Sequence, residues 1–351
     1  MTMGQGQSRQ KFNKSSYKEN EYSPRGLEGH TSNDVRDFPR VHGTNSVTAV
    51  SCINGTSICI SGGSGGKIGL FDVGARKLMA RWDAHEKEIT KVIPAGVEQS
   101  VYSASRDKSI RVWKNNSDEP AHVLSGHTLG VTAITTNKDG CQLVSGSRDN
   151  TVRLWDMKVG TCIRHMTQPR NMVTDVKWID GTEQVVQTGE DKIMKIWDTR
   201  SLQVARTFPM KQYFQTCCDV SAGGSYIVTG ATGFNGNGCD VTVWDVREGK
   251  VVNELKGHAQ KVSDCRYITN MSDHAPGSLL VSVSLDCNVK IWSPDVSNAL
   301  VSEVVPTAKE LTAVSSFQDG RFVIGTYEYG IHYCKVVEEE DGLKINRVLR
   351  F

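Results

Sequence analysis

The chain has 351 residues, 38% of them hydrophobic, enough to bury a sizeable core. With 41 basic against 39 acidic residues the net charge is only +2, which gives no basis for nucleic-acid binding by the whole chain. No apolar run nears the roughly 18 residues of a membrane span, and the polar N-terminal region lacks the apolar core of a secretion signal.

The ten cysteines form no C-x-x-C pair, and only Cys217 and Cys218 are adjacent, so neither a metal site nor a disulfide framework is expected. Reduced thiols in a cytoplasmic protein are the expectation. The sequons at Asn13, Asn54, Asn115 and Asn270 then count as chance matches.

Residues 1–34 read as a disordered basic tail and 35–351 as one repeat domain. The tail opens with MGQGQS (3–8), which fits the N-myristoylation pattern with Gly4 as acceptor. Arg9, Lys11, Lys14 and Lys18 would supply the second, electrostatic signal that one acyl chain needs for peripheral membrane contact. Gly4 becomes the second residue only if synthesis starts at Met3.

The chain repeats internally. SASRDKSIRVW (103–113) aligns with SGSRDNTVRLW (145–155), then TGEDKIMKIWD (188–198), DVTVWD (240–245) and SVSLDCNVKIW (282–292). The closing aromatics are Phe71, Trp113, Trp155, Trp197, Trp244 and Trp292, spaced 42, 42, 42, 47 and 48 residues apart. Cys334 fills the slot in a seventh unit, another 42 residues on. Inserts at 231–240 and 270–278 account for the longer spacings. Side-chain periodicity within a unit is two: Val152 and Leu154 face one way, Thr151, Arg153 and Trp155 the other. Each unit therefore predicts several short strands separated by Gly, Asp and Asn turns.

That period, with Gly-His early and Trp-Asp late, resembles the WD-repeat family of β-propellers over nearly the whole chain. The resemblance implies an all-β, seven-bladed ring. It also implies intrablade networks of a His, a strand Ser, a turn Asp and the Trp. These map onto His85, Ser103, Asp107 and Trp113; His127, Ser145, Asp149 and Trp155; and His258, Ser282, Asp286 and Trp292. A buried Asp needs donors, and a His and an indole N–H supply that chemistry, so a structural role is favoured over a hydrolase triad. A hydrolase would need one such set; this chain carries three.

The other units depart from the pattern. Unit one has Gly65 and Phe71 in the Asp and Trp slots. Unit four has Pro169 and Gln187 for His and Ser, unit five lacks the Asp, and unit seven has Glu328 and Cys334. These units are expected to be held by packing and by their neighbours rather than by their own networks. Two segments compete for the outer strand that closes the ring, VRDFPRV (35–41) and LKINRVL (343–349). The acidic turn before the second, followed by an alternating run, favours the C-terminal one.

No catalytic, cofactor or metal constellation emerges, so a non-enzyme is expected. GGSGGK (62–67) fails the phosphate-loop pattern and reads as a flexible tip between strands. GFNGNG (233–238) reads as a long turn whose Phe234 is a candidate partner contact. Arg106, Arg148 and Glu190 share one turn position in successive units and form a candidate binding rim. Units four and five end in WDTR (197–200) and WDVR (244–247). By resemblance to substrate receptors of cullin-type ubiquitin ligases, Arg200 and Arg247 are candidate adaptor contacts. Segments such as LQVARTFPMKQYFQT (202–216) are similar to a cilium-associated branch of the family. That similarity implies a ciliary scaffold for intraflagellar transport, with trafficking factors or regulators of small GTPases as partners.

Overall fold

The computed structural model describes residues 41–95, 100–114, 119–167, 171–268, 279–294, 299–305, 309–317, 319–328, 330–339 and 342–350. Over these residues the chain forms 28 strands in seven four-stranded antiparallel sheets, with no helix. The tail with Gly4, its basic residues, Asn13, Asn115, Pro169 and the 270–278 insert lie outside the described residues.

Blade one is β1 (Val47–Cys52), β2 (Ile58–Gly63), β3 (Lys67–Asp72) and β4 (Lys77–Asp83). Blade two is β5 (Ile89–Pro94), β6 (Val101–Ser105), β7 (Ser109–Trp113) and β8 (His122–Ser125). Blade three is β9 (Val131–Thr136), β10 (Gln142–Ser147), β11 (Thr151–Asp156) and β12 (Thr161–Thr167). Blade four is β13 (Val173–Trp178), β14 (Gln184–Gly189), β15 (Lys195–Asp198) and β16 (Gln203–Thr207). Blade five is β17 (Phe214–Val220), β18 (Tyr226–Thr232), β19 (Val241–Asp245) and β20 (Lys250–Leu255). Blade six is β21 (Val262–Ile268), β22 (Leu279–Ser284), β23 (Asn288–Trp292) and β24 (Ala299–Val304). Blade seven is β25 (Leu311–Ser316), β26 (Arg321–Thr326), β27 (Gly330–Glu339) and β28 (Gly342–Arg350).

Each blade is a simple meander, and each first strand contacts those of both neighbouring blades, so the seven first strands encircle a channel. The cores lie between blades. Val152 and Leu154 of β11 pack toward blade four, while Trp155 packs back against blade two. The period-two pattern is therefore real, but both faces are apolar because both are covered.

Close approach of blades demands small residues. A Cβ on Gly146 would lie 2.2 Å from Val173 of the next blade, and one on Gly325 would lie 2.9 Å from Val47. The second contact is the ring seam. There Val47 and Phe71 of blade one share a core with Phe317 and Tyr333 of blade seven. The Thr312 hydroxyl donates to the Val47 carbonyl at 2.5 Å, and the Cys52 amide donates to Ser315 Oγ at 3.0 Å. The outer strand of blade seven is the C-terminal β28, paired with β27 from His332↔Arg350 to Glu339↔Gly342. Of the rival segment only Val41 is described, buried in the seam core.

The 62–67 stretch corrects the expectation of a flexible tip. Gly62 and Gly63 belong to β2, and the Gly66 carbonyl accepts the amides of Ala84 and His85. Gly66 has φ +75, and a Cβ there would sit 2.0 Å from the His85 carbonyl oxygen, so the turn is packed against the start of blade two.

Candidate functional site

Three blades carry the full polar relay. In blade two His85 Nδ1 lies 2.8 Å from Asp107 Oδ2, His85 Nε2 lies 2.7 Å from Ser103 Oγ, and the Trp113 indole donates to that Oγ at 2.8 Å. Blade three repeats this with His127, Asp149, Ser145 and Trp155 at 2.9, 2.7 and 2.8 Å. Blade six repeats it with His258, Asp286, Ser282 and Trp292 at 3.1, 2.8 and 2.8 Å. In each relay the indole N–H donates to the Ser oxygen, which also meets His Nε2, while Nδ1 faces the carboxylate. Burial pushes the Asp107 carboxyl up, but bonds from His85 and Ser109 leave it well below the ordinary range. Burial likewise opposes ionisation of Asp286, and His258 overcomes it. These groups are consumed by one another, and none presents a nucleophile to solvent.

Blades one, four and five keep substitute polar bonds of their own, which corrects the expectation that they lack them. In blade one His42 Nε2 meets Ser61 Oγ at 2.8 Å. In blade four the Trp197 indole donates to Gln187 Oε1 at 2.6 Å, and Asp191 accepts from Lys195 at 2.6 Å. In blade five the Trp244 indole donates to Thr229 Oγ1 at 2.9 Å, and Lys211 packs over the Trp244 ring while pairing with Glu254. Blade seven holds to the expectation: Ile324 and Cys334 stand in the Ser and Trp slots inside an apolar core.

The channel wall carries a second repeated device. Thr48, Thr90, Thr132, Thr174, Thr216 and Thr312 each donate to a backbone carbonyl of the next blade's first strand, at 2.5–2.7 Å. The spacing of 42 between the first five was a legible signal. One layer deeper, Lys91 reaches from blade two to Asp175 of blade four at 3.0 Å. Arg266 pairs with Asp264 at 3.1 Å and donates to the Cys218 carbonyl, and Lys177 pairs with Asp219 at 2.9 Å. Three carboxylates meet three cations, so these charges are balanced.

Arg106, Arg148 and Glu190 line one cavity of about 260 Å³ at the channel mouth, together with Met172, Phe214 and Lys261. All three predicted rim residues occupy turns between second and third strands, so antiparallel topology puts them at the same end of the ring. Arg106 pairs with Glu88 at 3.2 Å. Arg148 and Lys261 have no ion pair among the described residues. Phe214 lies under the Lys192 ammonium at 5.7 Å.

Phe234 belongs to the same end of the ring. Its turn is a built finger: Phe234 pairs with Asn237, the Gly236 amide donates to the Ala259 carbonyl of blade six, and Gly238 rests on the Tyr213 ring. The side chain itself is 77% exposed.

Arg200 and Arg247 lie in turns between third and fourth strands, hence at the opposite end. Arg200 forms a two-point pair with its own Asp198, at 3.2 and 2.7 Å, while Arg247 has no ion pair among the described residues. Both turns are clamped from the preceding blade, Arg164 donating to the Arg200 carbonyl at 2.6 Å and Arg206 to the Arg247 carbonyl at 2.8 Å. No cluster of metal-ligating side chains occurs among the described residues.

Seven four-stranded blades in a ring, three of them with the same polar relay, define the class of β-propellers. The family model for the WD domain, G-beta repeat, matches residues 76–114, 118–156 and 249–293. With four further blades in the same register, the chain belongs to the WD-repeat β-propellers. It is 29% identical to the LEC14B protein of Lithospermum erythrorhizon over 66% of this chain and 48% of that one. It is 28% identical to a DDB1- and CUL4-associated factor 11 homolog of Caenorhabditis elegans over 70% of this chain and 43% of that one. Nuclear distribution protein nudF of Aspergillus niger is 24% identical over 58% and 48%. The chain spans about half the length of these relatives or less.

Proposed function

We propose that this protein is a non-catalytic interaction platform that captures partner segments on the face bearing Arg106, Arg148, Glu190 and Phe234. Phe234 carries the reading. A large aromatic held 77% exposed on a braced finger has a solvation cost that binding would remove. Proximity labelling with the intact chain and with Phe234→Ala tests it. The variant should lose a defined set of neighbours at unchanged melting temperature. An identical neighbour set would overturn the reading.

A second reading, substrate receptor of a cullin-type ubiquitin ligase, is favoured by two observations. Arg200 and Arg247 occupy corresponding, exposed turns in adjacent blades, and relatives are named for association with DDB1 and CUL4. Charge reversal at both arginines should then abolish co-purification with the adaptor DDB1, and full retention would exclude these turns as the contact. The ciliary setting and the lipid tether at Gly4 rest on the sequence resemblance and motif. The same labelling in ciliated cells, with Gly4→Ala beside the intact chain, should show trafficking factors and GTPase regulators lost from the variant.

A further inference from the structure

The platform reading leaves the partner's chemistry open, and the channel mouth narrows it. We propose that the mouth binds an extended acidic peptide segment that inserts one apolar side chain. This rests on the platform reading and adds the ligand class.

Charge sets the first requirement. The cavity lining holds three cations, Arg106, Arg148 and Lys261, against one carboxylate, Glu190. Arg106 is partly neutralised by Glu88, but Arg148 and Lys261 carry exposed charge with no ion pair among the described residues. Guanidinium groups at a half-enclosed mouth present forked donors that suit carboxylates. The polar floor adds no competing anion. Its hydroxyls already donate to neighbouring carbonyls, and the Asp175 carboxylate below is satisfied by Lys91 and by the Val176 and Cys218 amides.

Size and surface set the second requirement. A volume of about 260 Å³ falls under the ~300 Å³ at which small-molecule pockets begin, so a side chain fits better than a metabolite. Met172 and Phe214 supply apolar wall, and the Lys192 ammonium over Phe214 fixes that ring. The Lys91–Asp175 pair crosses between blades two and four beneath the mouth and sets its polar floor on that side. Acidic groups then meet Arg148 and Lys261, and the apolar side chain sits beside Phe214. Glu190 repels acids at one edge and gives the segment a direction.

The test is fluorescence anisotropy on the full chain with a labelled peptide of aspartates and glutamates flanking one phenylalanine. Saturable binding should weaken with salt and vanish when lysines replace the acids. It should weaken about tenfold or more in Arg148→Glu, the loss of a charge-assisted contact, at unchanged melting temperature. Equal binding of acidic and basic peptides, or unchanged affinity in Arg148→Glu, would overturn the proposal. Binding only to a phosphoserine peptide, or only to vesicles of anionic lipid, would also overturn it. No binding by a chain that still captures neighbours through Phe234 sinks this inference and leaves the platform reading standing. Failure of both sinks the platform reading itself.

Discussion

Asp149 accepts four hydrogen bonds, from the His127 ring, the Thr128 amide, and the Thr151 amide and hydroxyl. Burial pushes its carboxyl up, yet Thr151, Thr128 and His127 outweigh that and hold it at about 2, below the ordinary 3.8. A carboxyl depressed by folding adds stability that is complete above its ordinary value and lost as pH falls toward the folded one. Here that contribution is lost between roughly pH 4 and pH 2. Buried histidines act earlier on the same descent. Burial, aided by Arg81 and Lys67, lowers His42 from 6.5 to about 4, and burial aided by Arg350 and Arg347 does the same to His332. Their stabilisation is whole above 6.5 and disappears as pH falls to about 4. Melting temperature should therefore begin to drop below about pH 6.5 and fall more steeply below pH 4. A flat profile between 6.5 and 4 would show that these rings are not buried neutral. His85, His127 and His258 were readable because each keeps a Ser and an Asp in register. His42 escaped notice because it stands 19 residues before its serine instead of 18, with glycine in the Asp slot.

At the scale of the strand, β28 determines how the ring ends. It covers the β27 edge over eight register pairs and lays Leu343, Ile345 and Val348 against the last core and the seam. Deleting 342–351 would strip that edge and remove about 1 kcal/mol or more for each of the three apolar side chains. The truncated chain should melt far lower or aggregate, while removal of 1–39 should leave the cooperative transition in place. The reverse result would transfer closure to the N-terminal segment. This strand was legible from its alternation after an acidic turn. What the alternation could not convey was that strands such as β11 are covered on both faces, since the second layer comes from another blade.

Over the whole molecule, blades are coupled through the channel. Lys91 and Asp175 are 84 residues apart and belong to blades separated by a third. Burial disfavours the Lys91 ammonium, and Asp175 more than compensates, leaving it above its ordinary value. Lys91→Met should therefore strand a buried carboxylate and cost about 3 kcal/mol in urea unfolding. Adding Asp175→Leu should recover much of it, because the uncompensated charge is then gone. A double variant no better than the single would mean that the pair does not couple the blades. The same global level separates the two candidate faces: strand direction sends Arg106, Arg148, Glu190 and Phe234 to one end and Arg200 and Arg247 to the other.

The sequence by itself determined the blade count, the three polar relays and the rim positions, because each depends on spacing inside one repeat, where local strand geometry alone sets who meets whom. Only the tertiary structure decided the rest: the packing of blade one on blade seven at the seam, the carbonyl each channel threonine reaches, the Lys91–Asp175 bridge and the gathering of Arg106, Arg148, Glu190, Phe214 and Lys261 around one mouth. Those contacts join residues from different blades, and only closing the ring brings them within reach.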